Sequence, residues 1–572
     1  MRLLIAVLFF LISSTLLAQE SGLSDFNVEQ KINQSGFFSY PLDIIPKLNA
    51  NFGEMRPNHF HMGLDLFTAK RENLPVFAAA EGFVSRVKIE AGGFGNAIYI
   101  DHPNGFTTLY AHMNGFAPQL EQYIKKEQYK MESWAIDLTF PPHLFPVKKG
   151  EWIGLSGNTG ASQGPHVHFE IRETKSEKCV NPLLFDFNLA DNIAPDIFSL
   201  AFYDRSKSVY EQFPVLVPVV RNKNEWIVKV PDLPFKNVGV AFRGSDRMNG
   251  NPNPNGIYGA ALFENKKIVT GFSLDKMGYD ETRYLNAHID HMFKMKSSGY
   301  LQSLFPLYGD KPQIYIGGQK ISGISLHDGK SHDLILEVRD IAGNKSRIAF
   351  SVKSRADAER TIPIVYKGQL MIPDQVNIFD SDSIEWYMPE GSIYDSIHFQ
   401  IQSKPSTQLL SFSKSFVVHD SYVPLHKYCN ISIKPDKVIP YPLRDRMIIR
   451  KITQSNISVK KANWGMGKYG ATFREFGIFE LIADQNPPTI TAAPDGANLS
   501  AVSRIVIRVN DDYETIKNFK ATLDGHWLRF SQRNNSFTYV FDELCPSGEH
   551  ELKIFVEDEA GNPAEKIIHF KR

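Results

Sequence analysis

The stretch "HFHMGLDLF", residues 59–67, places side chains that can bind a metal ion close together. His61 and Asp65 are four positions apart with Gly63 between them, so a strand or a helix would put both on one side. The glycine and the neighbouring turn residues favour an extended or irregular conformation. The stretch therefore supplies one imidazole and one carboxylate to a common face.

Two further stretches supply histidines. In "GPHVHFEIR", residues 164–172, His166 and His168 alternate with apolar residues, so both imidazoles point to one face of a strand and the apolar side chains to a core. In "TTLYAHM", His112 ends another alternating run. Two histidines and one carboxylate form a sound ligand set for Zn²⁺, with a fourth position left for water.

Short apolar strands separated by Gly, Asn and Pro turns surround these stretches, from about residue 37 to residue 188. "DHPNG" lies between two alternating runs and predicts a hairpin. The pattern indicates an antiparallel β domain. Its one interruption, residues 117–134, has the composition of a helix.

The rest of the chain is also rich in strands and contains an internal repeat. "HDLILEVRDIAGN" (332–344) and "HELKIFVEDEAGN" (550–562) agree at seven of thirteen positions, and each precedes a short alternating strand. The repeat predicts two copies of one β-sandwich module, the first with a large insertion. The "xDxAGN" ending resembles bacterial immunoglobulin-like domains of envelope proteins.

Composition excludes several classes of protein. The chain has 572 residues with 63 Lys and Arg against 63 Asp and Glu, so no basic surplus draws it to nucleic acid. The first residues combine a positive charge, a short apolar run and the small residue Ala18, which predicts an export signal and no stable membrane span. The three cysteines, Cys179, Cys429 and Cys545, show no zinc or disulfide pattern and are interpreted as ordinary thiols, although one pair could be bridged.

The order of the histidine motifs is similar to that of a known family. HxGxD at 61–65, YAH at 110–112 and GPHxHFE at 164–170 resemble the LytM/lysostaphin-type zinc metallopeptidases, as do "PVFAAAEGFV", "VKKGEWIGLSGNTG" and "NPLLF". The resemblance covers roughly a quarter of the chain. It implies that Zn²⁺ is bound by His61, Asp65 and His168.

The same resemblance implies that His112 and His166 are the catalytic histidines, which would orient or deprotonate a water molecule and protonate the leaving amine. His59 is then expected to be a neighbour outside the ligand set. Glu170 shares the strand parity of His168 and is interpreted as a surface carboxylate, with a hydrogen-bond partner of His168 as the alternative. "HIDH" (288–291) is interpreted as surface or core histidines and not as a second metal site.

The fold class that follows is mainly β: an N-terminal antiparallel β-sheet metallopeptidase domain followed by two or three β-sandwich or Ig-like domains. The predicted boundaries are a signal peptide at 1–18, the peptidase domain at 19–190, an Ig-like sandwich with an insertion at 191–355, a sandwich-like domain at 356–486 and an Ig-like sandwich at 487–572.

One segment departs from the family pattern. Residues 114–146 stand where relatives have a short connection, and a segment of that length beside an active-site strand could be a lid, a specificity wall or an inhibitory plug. The sequence does not choose among these roles.

The resemblance implies an exported zinc endopeptidase that acts on peptide stems of cell-wall peptidoglycan, in the periplasm, the cell envelope or outside the cell. The alternative is a non-catalytic envelope scaffold or activator of a wall hydrolase; degenerate relatives lose ligands, whereas all five positions are present here. A non-haem iron oxygenase is a remote third hypothesis, because its His and carboxylate ligands usually stand two apart. The C-terminal β domains could bind the wall, a sugar or another protein such as an envelope protein, or simply position the peptidase, and the sequence does not choose among these roles.

Overall fold

A computed structural model of the protein shows a chain built almost entirely of antiparallel β-sheets. It describes residues 36–222, 225–251, 253–297, 299–317, 323–358, 366–454, 456–513 and 516–572. The predicted signal peptide at 1–18 lies outside the described residues. Within the described part, none of the helices has the length and apolar character that crossing a bilayer requires. The mainly-β prediction is confirmed.

The first unit, residues 36–187, is built on one antiparallel sheet whose alternate residues face a buried apolar core. In spatial order its strands are Leu48–Ala50, Leu64–Phe67, His166–Glu173, Phe106–Ala111, Asn96–Asp101, Gly82–Ile89 and Ile136–Thr139. The predicted "DHPNG" hairpin joins two of these neighbours and is confirmed. A smaller sheet contains Pro75–Phe77, Trp152–Leu155 and Gly115–Phe116.

The predicted helix in the first unit is also confirmed and spans Pro118–Lys130. Proline at its first turn suits a helix start, because that backbone N–H has no helical partner. Leu120 and Ile124 are buried in the core of the unit. The helix is thus anchored to the sheet scaffold by its apolar face.

The second unit, residues 196–352, packs directly on the first. Its two main sheets contain Val215–Pro218, Asp196–Asp204, Asn237–Ser245, Gln302–Ser303 and Ile324–Ser325, and Tyr315–Gly317, Lys267–Ser273, Gly259–Glu264, His332–Arg339 and Lys345–Val352. Short helices span Leu285–His288 and His291–Lys296. Phe52, Phe60, Met62 and Cys179 of the first unit belong to the core of the second. The two units therefore share a core.

The third unit, residues 369–483, has its own core around Trp386. Its two five-stranded sheets contain Asn377–Asp380, Ile384–Met388, Pro424–Ile433, Lys468–Glu475 and Asn463–Gly465, and Ile401–Lys404, Ser415–Val418, Gly477–Ala483, Met447–Ile452 and Ile457–Lys461. A small pair joins Gln369–Met371 to Ile397–Phe399.

The fourth unit, residues 489–571, also has two sheets and a separate core. The strands are Thr489–Thr491, Arg504–Asn510, Ser536–Val540 and Ser531–Arg533, and Ala497–Asn498, Pro563–Lys571, Glu549–Asp558, Ile516–Leu523 and His526–Trp527. Both copies of the repeated sequence form an antiparallel hairpin with the "AGN" turn at its end. Each repeat therefore pairs with the alternating strand that follows it.

The inserted segment of the first unit reaches the fourth unit. Lys125 forms an ion pair with Asp542 at 2.8 Å, and Arg529 donates to the side-chain oxygen of Gln128 at 2.8 Å. The Tyr129 ring lies edge-on to that of Trp527 with centroids 5.3 Å apart. The segment 114–146 therefore connects the first unit to the fourth unit.

Candidate zinc site

The register of three neighbouring strands brings the motif residues together. His168 lies opposite Asp65 on one side and opposite Ala111, the residue before His112, on the other. Gly63 is required by this packing, because a Cβ there would lie 2.4 Å from the carbonyl oxygen of Phe169. The glycine of the first motif thus allows it to approach the strand that carries the third.

Three ligating atoms converge on one point. His61 Nε2 lies 2.9 Å from Asp65 Oδ1 and 2.9 Å from His168 Nδ1, and His168 Nδ1 lies 3.0 Å from Asp65 Oδ1. All three residues are buried. In tetrahedral zinc coordination with bonds of about 2.0 Å, ligand atoms stand about 3.3 Å apart. The triangle is therefore of the size that a zinc ion requires.

The outer nitrogen of each ligand imidazole is also fixed. His61 Nδ1 donates to the carbonyl oxygen of Asn51 at 2.8 Å, and His168 Nε2 donates to Glu170 Oε1 at 2.9 Å. Each bond selects the tautomer whose other nitrogen presents a lone pair to the triangle. Lone pairs and a carboxylate facing one another at this distance fit a cation between them, so the donor set fits Zn²⁺.

Glu170 corrects the sequence-based interpretation. It is completely buried and contacts His168, whereas a surface carboxylate was predicted. Its other oxygen accepts from Arg172 Nε at 2.6 Å and from the Cys179 thiol at 3.3 Å. Burial raises its pKa, but the charge on Arg172 and the hydrogen bond from His168 lower it to about 2. Glu170 is therefore an ionised anchor for a ligand imidazole, as the alternative interpretation had it.

Arg56 is a functional candidate to which the sequence assigned no role. Its Nη2 donates to Asp65 Oδ2 at 3.1 Å, while Oδ1 of the same carboxylate faces the two histidines. Arg56 thereby orients the carboxylate so that one oxygen is directed to the triangle. Its position five residues before the HxGxD motif is the only sequence signal for it.

His112 and His166 border the triangle. Their ring centroids are 4.7 Å apart, and His166 Nε2 lies 3.3 Å from Asp65 Oδ1. His112 Nδ1 donates to the carbonyl oxygen of Thr159 at 2.8 Å, and His166 Nδ1 to that of Gly164 at 2.8 Å. The His112 ring is thus held in the tautomer whose Nε2 can accept a proton, whereas His166 Nε2 faces the Asp65 carboxylate.

The electrostatics separate the two kinds of histidine. Burial lowers the pKa of His168, but hydrogen bonds with Asp65 and Glu170 raise it to about 9, so two carboxylates draw positive charge to this position. Burial and the nearby charges of His166 and His168 lower the pKa of His112 to about 3. His112 is therefore a neutral base near pH 7.

The second unit supports the site from three directions. Thr282 Oγ1 accepts from the backbone N–H of Phe60 at 2.9 Å, next to His61. The Asn51 side chain binds the backbone of Gly256 through both of its polar atoms, at 2.8 and 3.0 Å. The Tyr279 hydroxyl donates to Glu170 Oε1. Each contact reaches a residue that holds or adjoins a ligand histidine.

The remaining candidates lie elsewhere. His59 is exposed and its Nδ1 donates to the carbonyl oxygen of Pro57 at 2.9 Å. His288 is buried against the Phe272 ring, with centroids 4.5 Å apart, and His291 Nδ1 donates to the carbonyl oxygen of Tyr422. Among the described residues, neither belongs to a group of metal ligands. The three cysteines are buried and free.

Comparison with known proteins matches this segment to one family. Residues 59–133 and 145–182 match the family described as Peptidase family M23. The chain carries an M23 domain. The gap in the match falls at residues 134–144, which lie in the inserted segment after its helix. Residues 368–484 match the description Zu5-like domain.

Three similar proteins each match about a quarter of the chain. A protein named as an uncharacterized metalloprotease of Haemophilus influenzae is 31% identical over 167 residues, 28% of this chain and 29% of that protein. The DD-carboxypeptidase/endopeptidase Mpg of Neisseria meningitidis serogroup B is 35% identical over 144 residues, 24% of this chain and 27% of that protein. The catalytic domain of lysostaphin from Staphylococcus simulans is 24% identical and covers 24% of this chain and 90% of that chain, with a TM-score of 0.17. The chain thus spans less than a third of the two curated relatives.

Proposed function

We propose that the protein is an exported zinc metalloendopeptidase that hydrolyses peptide crosslinks of cell-wall peptidoglycan. The observation that carries the proposal is the convergence of His61 Nε2, Asp65 Oδ1 and His168 Nδ1 within 3.0 Å, beside two further histidines. The relative from Neisseria meningitidis, named a DD-carboxypeptidase/endopeptidase, supports this class of substrate. The apolar run that precedes Ala18 supports export.

The proposed roles follow from the geometry. The chemistry that a zinc ion supplies here is Lewis acidity, which polarises the scissile carbonyl and lowers the pKa of a water molecule to about 7. His61, Asp65 and His168 hold the ion, and Glu170, Asn51 and Arg56 hold these three side chains in their ligating orientation.

His112 and His166 move the protons. The neutral Nε2 of His112, fixed by the hydrogen bond from Nδ1 to Thr159, accepts a proton from the attacking water. His166 stands beside Asp65 and stabilises negative charge on the former carbonyl oxygen or protonates the leaving amine. No serine, cysteine or lysine nucleophile is required, so no covalent intermediate is expected.

The test is digestion of isolated wall sacculi by the zinc-loaded protein, with mass spectrometry of the released fragments. The expected result is release of peptide fragments whose new termini identify the bond that was cut. The His166→Ala variant should retain zinc and release no fragments. If the wild-type protein with bound zinc released nothing from sacculi of several peptide chemistries, a non-catalytic envelope role would replace this proposal.

A further inference from the structure

Three aspartates from separate segments meet where the first unit joins the second. Asp191 precedes the strand that begins at Asp196, Asp246 directly follows the strand that ends at Ser245, and Asp340 directly follows the strand that ends at Arg339. One carboxylate oxygen of each lies within 4.8 Å of the other two. Asp246 and Asp340 are only 3% and 2% exposed. We call this group the aspartate cluster.

Buried polar atoms at the cluster lack partners. Asp246 Oδ1 is buried without a hydrogen bond, although such groups are normally satisfied in folded proteins. Asp246 pairs with Asn255 through two backbone hydrogen bonds of 2.8 and 3.1 Å, so the two side chains lie on the same side of the pair. Both polar atoms of the Asn255 side chain are likewise buried and unpartnered, and the residue is 3% exposed. The unpartnered oxygens of Asp246 and Asn255 therefore lie on the same side of this strand pair.

Like charges meet at the aspartate cluster. Burial raises the pKa of Asp246 to about 8, and the charges of Asp340 and Asp191 add to the rise. Burial raises the pKa of Asp340 to about 6. The adjacent basic residue, Arg247, instead forms an ion pair with Asp196 at 3.0 Å. A cation between the three carboxylates would remove this mutual repulsion.

The "AGN" turn holds the cluster in position. The backbone N–H of Asn344 donates to Asp340 Oδ1 at 2.8 Å. Its side-chain Nδ2 donates to Asp340 Oδ2 at 2.7 Å and to the carbonyl oxygen of Asp191 at 3.2 Å. The Asp340 carboxylate and the backbone of Asp191, which belong to different segments, are thus held by one asparagine.

The second copy of the repeat provides an internal comparison. Thr489 pairs with Asn510 just as Asp196 pairs with Ser245, which makes Asp484, Asp511 and Asp558 the counterparts of the three cluster residues. Asn562 repeats the bonds of Asn344, donating to Asp558 Oδ1 at 2.8 Å and to the carbonyl oxygen of Asp484 at 3.1 Å. Yet these counterparts form no group of ligand atoms within the described ranges.

Basic side chains occupy the turn of that second copy. Arg446 donates to the carbonyl oxygen of Gly561, and Lys461 donates to that of Ala560. The charge on Asp558 acts on the pKa of Lys461. Two protein cations therefore lie at the turn of the second copy, whereas the ligand atoms of the first copy converge within 4.8 Å.

We propose that the aspartate cluster binds one calcium ion through Asp191, Asp246 and Asp340, with the amide oxygen of Asn255 as a further ligand. A set of oxygen atoms alone selects a hard cation, and Ca²⁺ accepts the irregular geometry of ligands from separate segments better than Mg²⁺ does. The site lies outside the zinc ligands and joins the connection between the first two units to the second unit.

The experiment is calorimetric titration of the zinc-loaded full-length protein with CaCl₂. The wild-type protein should bind one calcium ion at this cluster, with a Kd between about 10 µM and 1 mM, from the weak end of calcium sensors to the range of extracellular modules. Asp246→Asn preserves shape and removes the unpartnered charged oxygen, so it should weaken this event at least about tenfold. Asp511→Asn, the same change at the counterpart position, should leave it intact.

Two results would overturn the proposal. One is a wild-type protein, folded and loaded with zinc, that shows no saturable calcium binding up to about 10 mM. The other is calcium binding that persists unchanged in both Asp246→Asn and Asp191→Asn. Asp191→Asn is included because Asp191 lies in a connection, so this variant still folds if Asp246→Asn does not.

Discussion

The zinc site of the M23 domain and the aspartate cluster are both groups of three ligating residues, but they are built differently. In the zinc site, every ligand has an outer partner: Asn51 for His61, Arg56 for Asp65 and Glu170 for His168. In the aspartate cluster, Asp340 is fixed by the "AGN" turn while Asp246 Oδ1 has no partner.

The difference shows what each arrangement is suited to. Fixed imidazole tautomers and a single directed carboxylate oxygen suit a small ion of defined geometry that must keep one position open. Converging carboxylates at the edge of a strand pair suit a larger ion that joins segments of chain. The zinc site is therefore suited to catalysis and the aspartate cluster to joining segments of the chain. The following changes test this difference.

The largest effect is expected from removing a zinc ligand. His168→Ala should lower zinc affinity by more than about 10³-fold and abolish hydrolysis, because two donors cannot hold the ion against exchange with water. Calcium binding should be unchanged. Metal content by mass spectrometry after dialysis checks the prediction, with exposed His143→Ala as the control. Retained zinc in His168→Ala would contradict the assignment.

Removing a proton-transfer residue should separate binding from turnover. His166→Ala should keep zinc at the wild-type level and lower the rate by about 10²–10⁴-fold, the usual contribution of a general acid or base. Fragment release from sacculi, measured beside zinc content, checks this. Hydrolysis at the wild-type rate would remove His166 from the mechanism.

Glu170→Gln tests the buried anchor. The change keeps the shape but removes the charge that accepts from His168 and Arg172, so zinc affinity should fall about 10–100-fold. The measurement is competition with a chromogenic chelator, and Glu173→Gln, a carboxylate on the same strand that pairs with exposed Lys276, is the matched control. An equal loss of zinc affinity in the two variants would show that the effect of Glu170 on the zinc site is not specific.

Calcium should stabilise the protein without affecting zinc. At a calcium concentration of about 100 times Kd, binding to the native state alone adds about 2.7 kcal/mol to the free energy of unfolding. Thermal unfolding of the wild-type protein should therefore shift upward on addition of CaCl₂, while Asp246→Asn should not respond. A shift of equal size in both proteins would place the stabilising ion elsewhere.

The smallest effect is expected at the contact between units. Tyr279→Phe removes one hydrogen bond to Glu170, which corresponds to about 1.5 kcal/mol, the lower end for a bond to a charged group, and thus to a loss of zinc affinity of roughly tenfold. Tyr308→Phe, in the same unit and 56% exposed, is the control. A larger KM with unchanged zinc affinity would instead point to a role of Tyr279 in the cleft.

The sequence predicted the local features of this molecule well. Alternation and the "DHPNG" turn predicted the hairpin that carries His112, and ordered motifs predicted which residues converge. These features succeed because strand parity and turn chemistry act within a few residues.

What the sequence did not predict depends on distant contacts. Parity placed Glu170 on the face of His168 but did not show that Tyr279, over a hundred residues away, covers that face. The aspartate cluster draws its members from three separate segments, and neither Asp191 nor Asp246 belongs to a recognisable motif. The sequence predicted the helix of the inserted segment but not its partner, the fourth unit.

The contacts between the inserted segment and the fourth unit close a ring, because each unit touches the next and the fourth touches the first. The second unit reaches the third through the His398–Glu211 pair at 2.9 Å, the third reaches the fourth through Arg446 and Gly561, and the fourth returns to the first at Lys125. A hydrolase at the end of a string of modules sweeps a volume set by its tethers. A cyclic arrangement instead fixes the distance and angle between the metal site and the fourth unit, so the proposed hydrolase would select bonds by their spacing from the surface that the fourth unit binds.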